Sequence, residues 1–296
     1  NILMGIMGIS VIITMIPRAQ VAMERIFEVI DTEDTIVDME ETEEIERNKE
    51  ELNLSFDQVD FRYPGAEKLA LKDINFSMKA GEKLAIIGGT GSGKSTLAEL
   101  VLRLYDIESG SIKINDVDIR EMSQSYLRKL IGFATQDALL FSGTIRENLK
   151  YGNEAASDEE LWEALNIAQG YEFVNSLPNK LDARVEQGGD NFSGGQRQRL
   201  SIARTLVTEA DILVFDDSFS ALDFQTDARL RAALEPVTTN KLVMIIAQRI
   251  NTVMDADQIL VLDNGHLVGL GSHEELKENN TIYQEIMDSQ MKGEDL

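Results

Sequence analysis

Three features of the 296-residue sequence predict an α/β fold with a mostly parallel central sheet. Apolar β-rich runs alternate with helical stretches, as in chains that cross repeatedly over a parallel sheet. A glycine-rich loop stands directly between one such run and a helix. The apolar fraction, 43%, is that of an ordinary globular chain, which excludes wholesale disorder. The length allows one large core with room for a subdomain.

The first stretch, "ILMGIMGISVIITMI" (2–16), is apolar throughout and ends at Pro17. As a helix it covers ~22 Å, short of the ~30 Å hydrocarbon core of a bilayer. No basic region precedes it, which argues against a signal peptide, and the sequence opens on Asn1. On these residues two readings stay open: the last turns of a transmembrane helix whose earlier part is missing, or a buried core helix. "RAQVAMERIFEVID" then keeps Val21, Met23, Ile26, Phe27 and Ile30 at helical spacing. "DTEDTIVDMEETEEIERNKEE" (31–51) is dense in carboxylates with little to bury and reads as a solvated linker.

From Leu52 the pattern changes to short strands, "LNLSFDQVDFRY", "LKDINFSMK" and "EKLAIIG", followed later by "DILVFDD", "KLVMIIAQ" and "QILVLDNG". Between about 137 and 193 the strands stop. "SDEELWEALNIAQGYEFVNSL" reads there as helices around Trp162, Leu165 and Phe173, an inserted helical lobe. Trp162 and the methionines of the first stretch read as packing residues. His266 and His273 have no carboxylate or second histidine at ligand spacing and read as surface residues.

The formal net charge is −24, from 52 acidic and 28 basic residues. Such a chain is repelled by phosphate backbones, which argues against a nucleic-acid binder. With no cysteine, a disulfide framework, a thiolate zinc site and a cysteine nucleophile are excluded.

"GGTGSGKST" (88–96) fits G-x-x-x-x-G-K-S/T with the strand "LAII" before it and the helix "STLAELVLRL" after it. Gly88, Gly91 and Gly93 let the backbone turn its N–H groups toward phosphate oxygens, with Gly89, Thr90 and Ser92 between them. The helix N-terminus, at Lys94, Ser95 and Thr96, adds positive dipole. Lys94 is placed to reach the β- and γ-phosphates and Ser95 to ligate Mg2+. These residues call for ATP or another nucleoside triphosphate. Asp216, at the end of a later buried strand, is a second magnesium ligand.

"FSGGQRQRLSIARTL" (192–206) supplies another anion site: Ser193 caps a helix, and Gly194 and Gly195 expose backbone N–H groups. With Phe192 and Gln196 around it, this turn resembles the signature motif of ATP-binding cassette (ABC) proteins, in which Leu usually precedes the serine. From Leu52 onward the sequence resembles that family closely. The resemblance implies a RecA-like P-loop core, a β-rich adenine-side subdomain and a helical subdomain at about 138–205. It implies that Tyr63 stacks on adenine and that Gln136 touches magnesium and senses the transmembrane half. "SALD", ending at Asp223, is similar to the loop that crosses to the opposite site. Two such domains pack head to tail, so each ATP lies between one phosphate loop and the other chain's signature.

"IPRAQVAMERIFEVID" resembles the joint between the last transmembrane helix and the cassette of exporters, which favours the transmembrane reading. The implied layout is a helix end over 1–17, a helical extension and acidic linker over 18–51, and the cassette over 52–296. The location implied is the cytoplasmic face of the cell membrane.

Three places depart from the family pattern. Asp217 stands where a catalytic Glu is usual, and Gln248 where His is usual. "ARVEQGG" keeps only Val185 and Gly189 of a loop resembling T-E-V-G-E-R-G, so coupling contacts through it are in question. Asp is one methylene shorter than Glu, and misplacing a base by about 1 Å can cost on the order of a hundredfold. Gln248 can hydrogen-bond a γ-phosphate but cannot carry a proton. The expectation is a site that binds Mg-ATP well and hydrolyses it slowly, in one half of a heterodimeric exporter whose partner has the Glu and His. The rivals are a homodimeric exporter with two active sites and a soluble cassette ATPase of DNA repair, which the charge and the N-terminal stretch oppose.

Overall fold

A strand covered on both faces needs apolar residues at successive positions rather than alternate ones. "LAII", "ILVF", "LVMII" and "ILVL" satisfy that, and in the computed structural model they are adjacent strands. The structure describes residues 1–32, 34–45 and 52–294, in two units, 1–37 and 38–296.

The first unit holds helix α1 (Ile2–Ile30). Pro17, expected to end the apolar helix, lies inside it. The proline removes one ladder hydrogen bond, and the turn continues on the others. At 29 residues the helix is about 43 Å long. Its most apolar 18-residue window has a mean hydropathy of 1.9, and none of that window is buried. The methionines read as packing are exposed within this unit.

The second unit begins with β1 (Asn53–Phe61), β2 (Leu71–Lys79), β3 (Lys83–Gly88) and α2 (Lys94–Val101). Next come β4 (Ser109–Ile114), β5 (Val117–Asp118), α3 (Gln124–Leu130) and β6 (Ile131–Ala134). The lobe follows: β7 (Gly143–Thr144), α4 (Ile145–Lys150), α5 (Asp158–Ile167), α6 (Tyr171–Ser176), β8 (Arg184–Val185) and α7 (Gly194–Val207). The chain closes with β9 (Ile212–Asp216), α8 (Phe224–Leu234), β10 (Leu242–Ile246), α9 (Ile250–Val253), β11 (Gln258–Asp263), β12 (His266–Gly271), α10 (His273–Asn279) and α11 (Thr281–Glu294).

Among the described residues the main sheet has ten strands in the order β5-β4-β1-β2-β12-β11-β3-β10-β9-β6. The stretch from β11 to β6 is parallel, and β1, β2, β4 and β5 pair antiparallel. Alternate residues of each parallel strand feed different cores. Ala85, Ile87, Leu213 and Phe215 join the lobe side, while Leu84, Ile86, Ile212 and Val214 join the side of α2 and the antiparallel strands.

Four departures from the sequence expectations have physical causes. Two short strands, β7 and β8, pair inside the helical lobe, where strands were expected to stop. β4 and β6 carry serine and glycine, which hid them, yet Ile112, Ile114, Ile131 and Ala134 are buried. His273 is not a surface residue: it is buried under α11, with Nδ1 2.7 Å from the Tyr283 hydroxyl. The acidic linker is partly docked. Asp38 Oδ1 accepts from the Gln124 backbone N–H at 3.0 Å, Glu43 N–H donates to the Glu121 carbonyl, and Ile45 is buried. The part of the linker at 46–51 lies outside the described residues. Trp162 packs against the lobe core, edge-on to Tyr171.

Candidate nucleotide site

The carboxyl ends of β3, β10, β9 and β6 lie side by side, since Ile86 pairs with Ile246, Ile246 with Asp216, and Phe215 with Ala134. The loops that leave those ends carry the phosphate loop, Gln248, Asp217 and Gln136. A crevice at the carboxyl ends of parallel strands is where open α/β sheets take ligands.

Gly93 caps α2 with φ +103°, a left-handed backbone that an L side chain resists. Lys94, next in sequence, is buried and folds back, its Nζ donating to the Gly88 and Gly89 carbonyls at 2.9 Å each. Burial pulls its pKa below the usual lysine range, and the nearby Asp217 and Asp216 oppose that pull. Ser92 Oγ is buried, with no hydrogen-bond partner among the described residues. The Asn264-Gly265 turn between β11 and β12 braces the loop, Gly265 N–H donating to the Ser92 carbonyl at 3.1 Å.

Ser95 Oγ donates to Asp216 Oδ1 at 3.1 Å. Burial raises the Asp216 pKa, with the Ser95 hydrogen bond opposing the shift. A buried carboxylate beside a hydroxyl is a hard-oxygen donor pair, and a divalent ion would offset its desolvation, so these residues fit Mg2+. The ion would neutralise phosphate charge there. Gln136 is exposed just beyond β6. Among the described residues no cluster of three or more His, Cys, Asp or Glu forms a separate metal site.

Because the Asp216 pKa is raised, the folded chain holds that proton more tightly than the unfolded chain does. The stability of this group is therefore greatest at low pH and is lost as pH climbs toward the folded-state pKa. Asp216→Asn is expected to raise the melting temperature of nucleotide-free protein at neutral pH, the gain fading as pH falls to about 4, where the unfolded aspartate titrates. It should also abolish the Mg2+ dependence of nucleotide binding. Melts across that range, with and without Mg-ATP, check both.

Asp217 is buried with φ +45° and donates its N–H to the Ile246 carbonyl. Its Oδ2 accepts from Gln248 Nε2 at 2.8 Å. Burial raises its pKa, and Lys94 opposes the rise. Arg249, not singled out from the sequence, donates to the Ser220 carbonyl at 2.9 Å and the Leu222 carbonyl at 3.4 Å, clasping the loop that runs to Asp223. Asp223 caps α8, accepting from the Thr226 N–H and hydroxyl.

Tyr63 stands edge-on to Phe61 and Tyr105, and its hydroxyl donates to Glu99 at 2.8 Å and lies 2.9 Å from Thr96 Oγ1. Burial pushes its pKa up to about 12. A cavity of about 560 Å³ lined by Tyr63, Lys68, Gly91, Lys94, Ser95 and Asn264 joins this ring to the phosphate loop. That is the size range of small-molecule sites.

The signature turn is built separately. Ser193 Oγ accepts from the Gln196 N–H, and Gln196 Oε1 accepts from the Ser193 N–H, a reciprocal cap on α7. Nothing lies within 4 Å of a Cβ placed on Gly194, and one on Gly195 would meet the Ala221 carbonyl at 3.3 Å. Phe192 is buried and edge-on to Phe173, so it packs the lobe rather than facing outward. Arg199 ties the Gly195 and Gln169 carbonyls over the Phe173 ring. Among the described residues no hydrogen bond joins this turn to the phosphate loop.

The family model described as ABC transporter matches residues 71–220. An uncharacterized ABC transporter ATP-binding protein of Bacillus subtilis, YfiB, is 43% identical over 96% of this chain and 48% of its own length. The ATP-dependent lipid A-core flippase of Desulfotalea psychrophila is 38% identical over 95% of this chain and 49% of its own. Among solved structures, a bacterial Atm1-family ABC exporter with ATP bound is similar, with a TM-score of 0.87 and 36% identity over 93% of this chain and 48% of that one. The chain thus spans about half the length of the relatives it matches.

Proposed function

The chain belongs to the ABC transporter family, and on that premise we propose that it is the ATP-binding motor of a membrane exporter, with an own site that hydrolyses slowly. Mg-ATP would sit on Gly88, Gly89, Thr90, Gly91, Ser92, Gly93, Lys94, Ser95 and Thr96, with Tyr63 toward adenine and Ser95, Asp216 and Gln136 toward the ion. Ser193, Gly194, Gly195 and Gln196 would complete the ATP site of a second subunit that carries Glu and His, and Asp223 would cross to it. Residues 1–17 would be the end of a transmembrane helix, 18–51 the extension and linker, and 52–296 the cassette on the cytoplasmic face.

The contact between Gln248 Nε2 and Asp217 Oδ2 carries the claim of slow hydrolysis. A general base needs a free lone pair within reach of the attacking water. Here the carboxylate is one methylene shorter than glutamate, and the amide beside it can orient it but cannot take up the proton. Binding groups are complete around it, so affinity and turnover separate.

The test is steady-state ATP turnover by the natural chain and by Asp217→Glu/Gln248→His. The restored protein is expected to turn over at least about tenfold faster, since about 1 Å of base placement is worth up to a hundredfold. Equal rates in the two would instead make the natural pair competent and support a homodimeric exporter.

A further inference from the structure

We propose that Gln290, on α11, is a positioning residue for Asp217 and Gln248, an inference that rests on reading that pair as the groups acting on the attacking water. The loop 247–250 leaves β10 and must hold Gln248 against Asp217. It has little structure of its own to do so. α9 is four residues long, and its N-cap, Arg249, makes no side-chain cap hydrogen bond. The first N–H groups of such a helix need a partner from elsewhere.

Gln290 supplies that partner. Its Oε1 accepts from the Ile250 N–H at 2.9 Å, and its Nε2 donates to the Gln248 carbonyl at 2.7 Å. One carboxamide thus bridges two loop residues on either side of Arg249, whose guanidinium grips the 220–222 carbonyls. The backbone of Gln248 is fixed from α11 while its side chain donates to Asp217. A shift of α11 therefore moves the Gln248 amide relative to the carboxylate.

α11 is a firm support. Asn280 Oδ1 accepts from the Tyr283 N–H at 2.8 Å, and Asn280 Nδ2 donates to the Val268 carbonyl at 2.8 Å. Tyr283 is fully buried, and Ile286 and Met287 pack against the lobe-side core. Gln290 follows at helical spacing on that same face, where an apolar residue would be the default. An amide at that position is explained by the two loop bonds it makes.

The experiment uses the full-length transporter in lipid, in whichever of the natural and Asp217→Glu/Gln248→His proteins hydrolyses ATP. Gln290→Ala removes both bonds. Gln290→Glu keeps an acceptor for Ile250 and an anion at the α9 N-terminus, but sets an oxygen against the Gln248 carbonyl, so it separates capping α9 from positioning Gln248. In both variants kcat is expected to fall about tenfold with KM for ATP within about twofold, the pattern of lost placement rather than lost binding. The Glu variant should keep the parent melting temperature. Hydrogen exchange should quicken in peptides over 247–250 and stay unchanged over 88–96. An unchanged kcat in both variants overturns the inference, as does a fall in kcat matched in both by a raised KM and a lowered melting temperature. Should the natural chain prove fully active, the slow-site reading fails and the Gln290 comparison is made in that chain unchanged.

Discussion

Lys94→Ala is expected to weaken ATP binding by about a hundredfold or more. The ammonium is buried, and among the described residues it donates to the Gly88 and Gly89 carbonyls. Two phosphate oxygens are better partners, because each hydrogen bond to a charged group contributes about 1.5–3 kcal/mol. Losing two such bonds removes about 3–6 kcal/mol, and each 1.4 kcal/mol is tenfold in affinity. Lys94→Arg should recover little of it, since a planar guanidinium is too broad for a cradle shaped by glycines. Titration calorimetry with Mg-ATP measures both. Binding within a few-fold of the parent would assign the phosphate contacts to backbone N–H groups alone.

Gly88→Ala is expected to destabilise the fold by about 3 kcal/mol or more, while Gly89→Ala should change stability by less than about 1 kcal/mol. The two residues are neighbours in one loop, yet their surroundings differ. A Cβ on Gly88 would lie 2.2 Å from the Leu262 carbonyl oxygen and 2.6 Å from Ser92 Oγ. Leu262 is the register partner of Gly88 between β3 and β11, so the oxygen cannot retreat without opening a central parallel pair. Nothing lies within 4 Å of a Cβ on Gly89. Urea unfolding of the two variants side by side gives the comparison.

The sequence showed most clearly what is local. The phosphate loop is a contiguous motif whose strand and helix announce it. The four central strands show as apolar runs because both of their faces are covered. The cap at Ser193 and Gln196 is spaced three apart and readable for that reason. What escaped is what long-range packing decides. Arg249 finds its carbonyls 27 and 29 residues away, and Gln290 finds Gln248 42 residues away, with no pattern to mark either. His273 carries no ligand spacing, so its burial against Tyr283 could not be foreseen. The linker's carboxylates suggested solvent, but a buried isoleucine, Ile45, and hydrogen bonds between Asp38 and Gln124 and between Glu43 and Glu121 dock part of it. Phe192 looked like part of an outward-facing motif, and its ring is instead lobe core.

The strand that feeds the phosphate loop is completed late. Lys83, at the start of β3, bonds Asp257, 174 residues further on, and β3 lies between β10 and β11. At the ~5–20 residues per second of a ribosome, about 9–35 s pass between the synthesis of those two residues. For most of that interval the nascent chain carries the phosphate-loop motif, yet neither neighbour of β3 exists to shape it. The apolar "LAII" is left without partners, a natural target for chaperones. Nucleotide cannot template the early steps of folding, and a chain truncated before β10 keeps the motif but never gains the site.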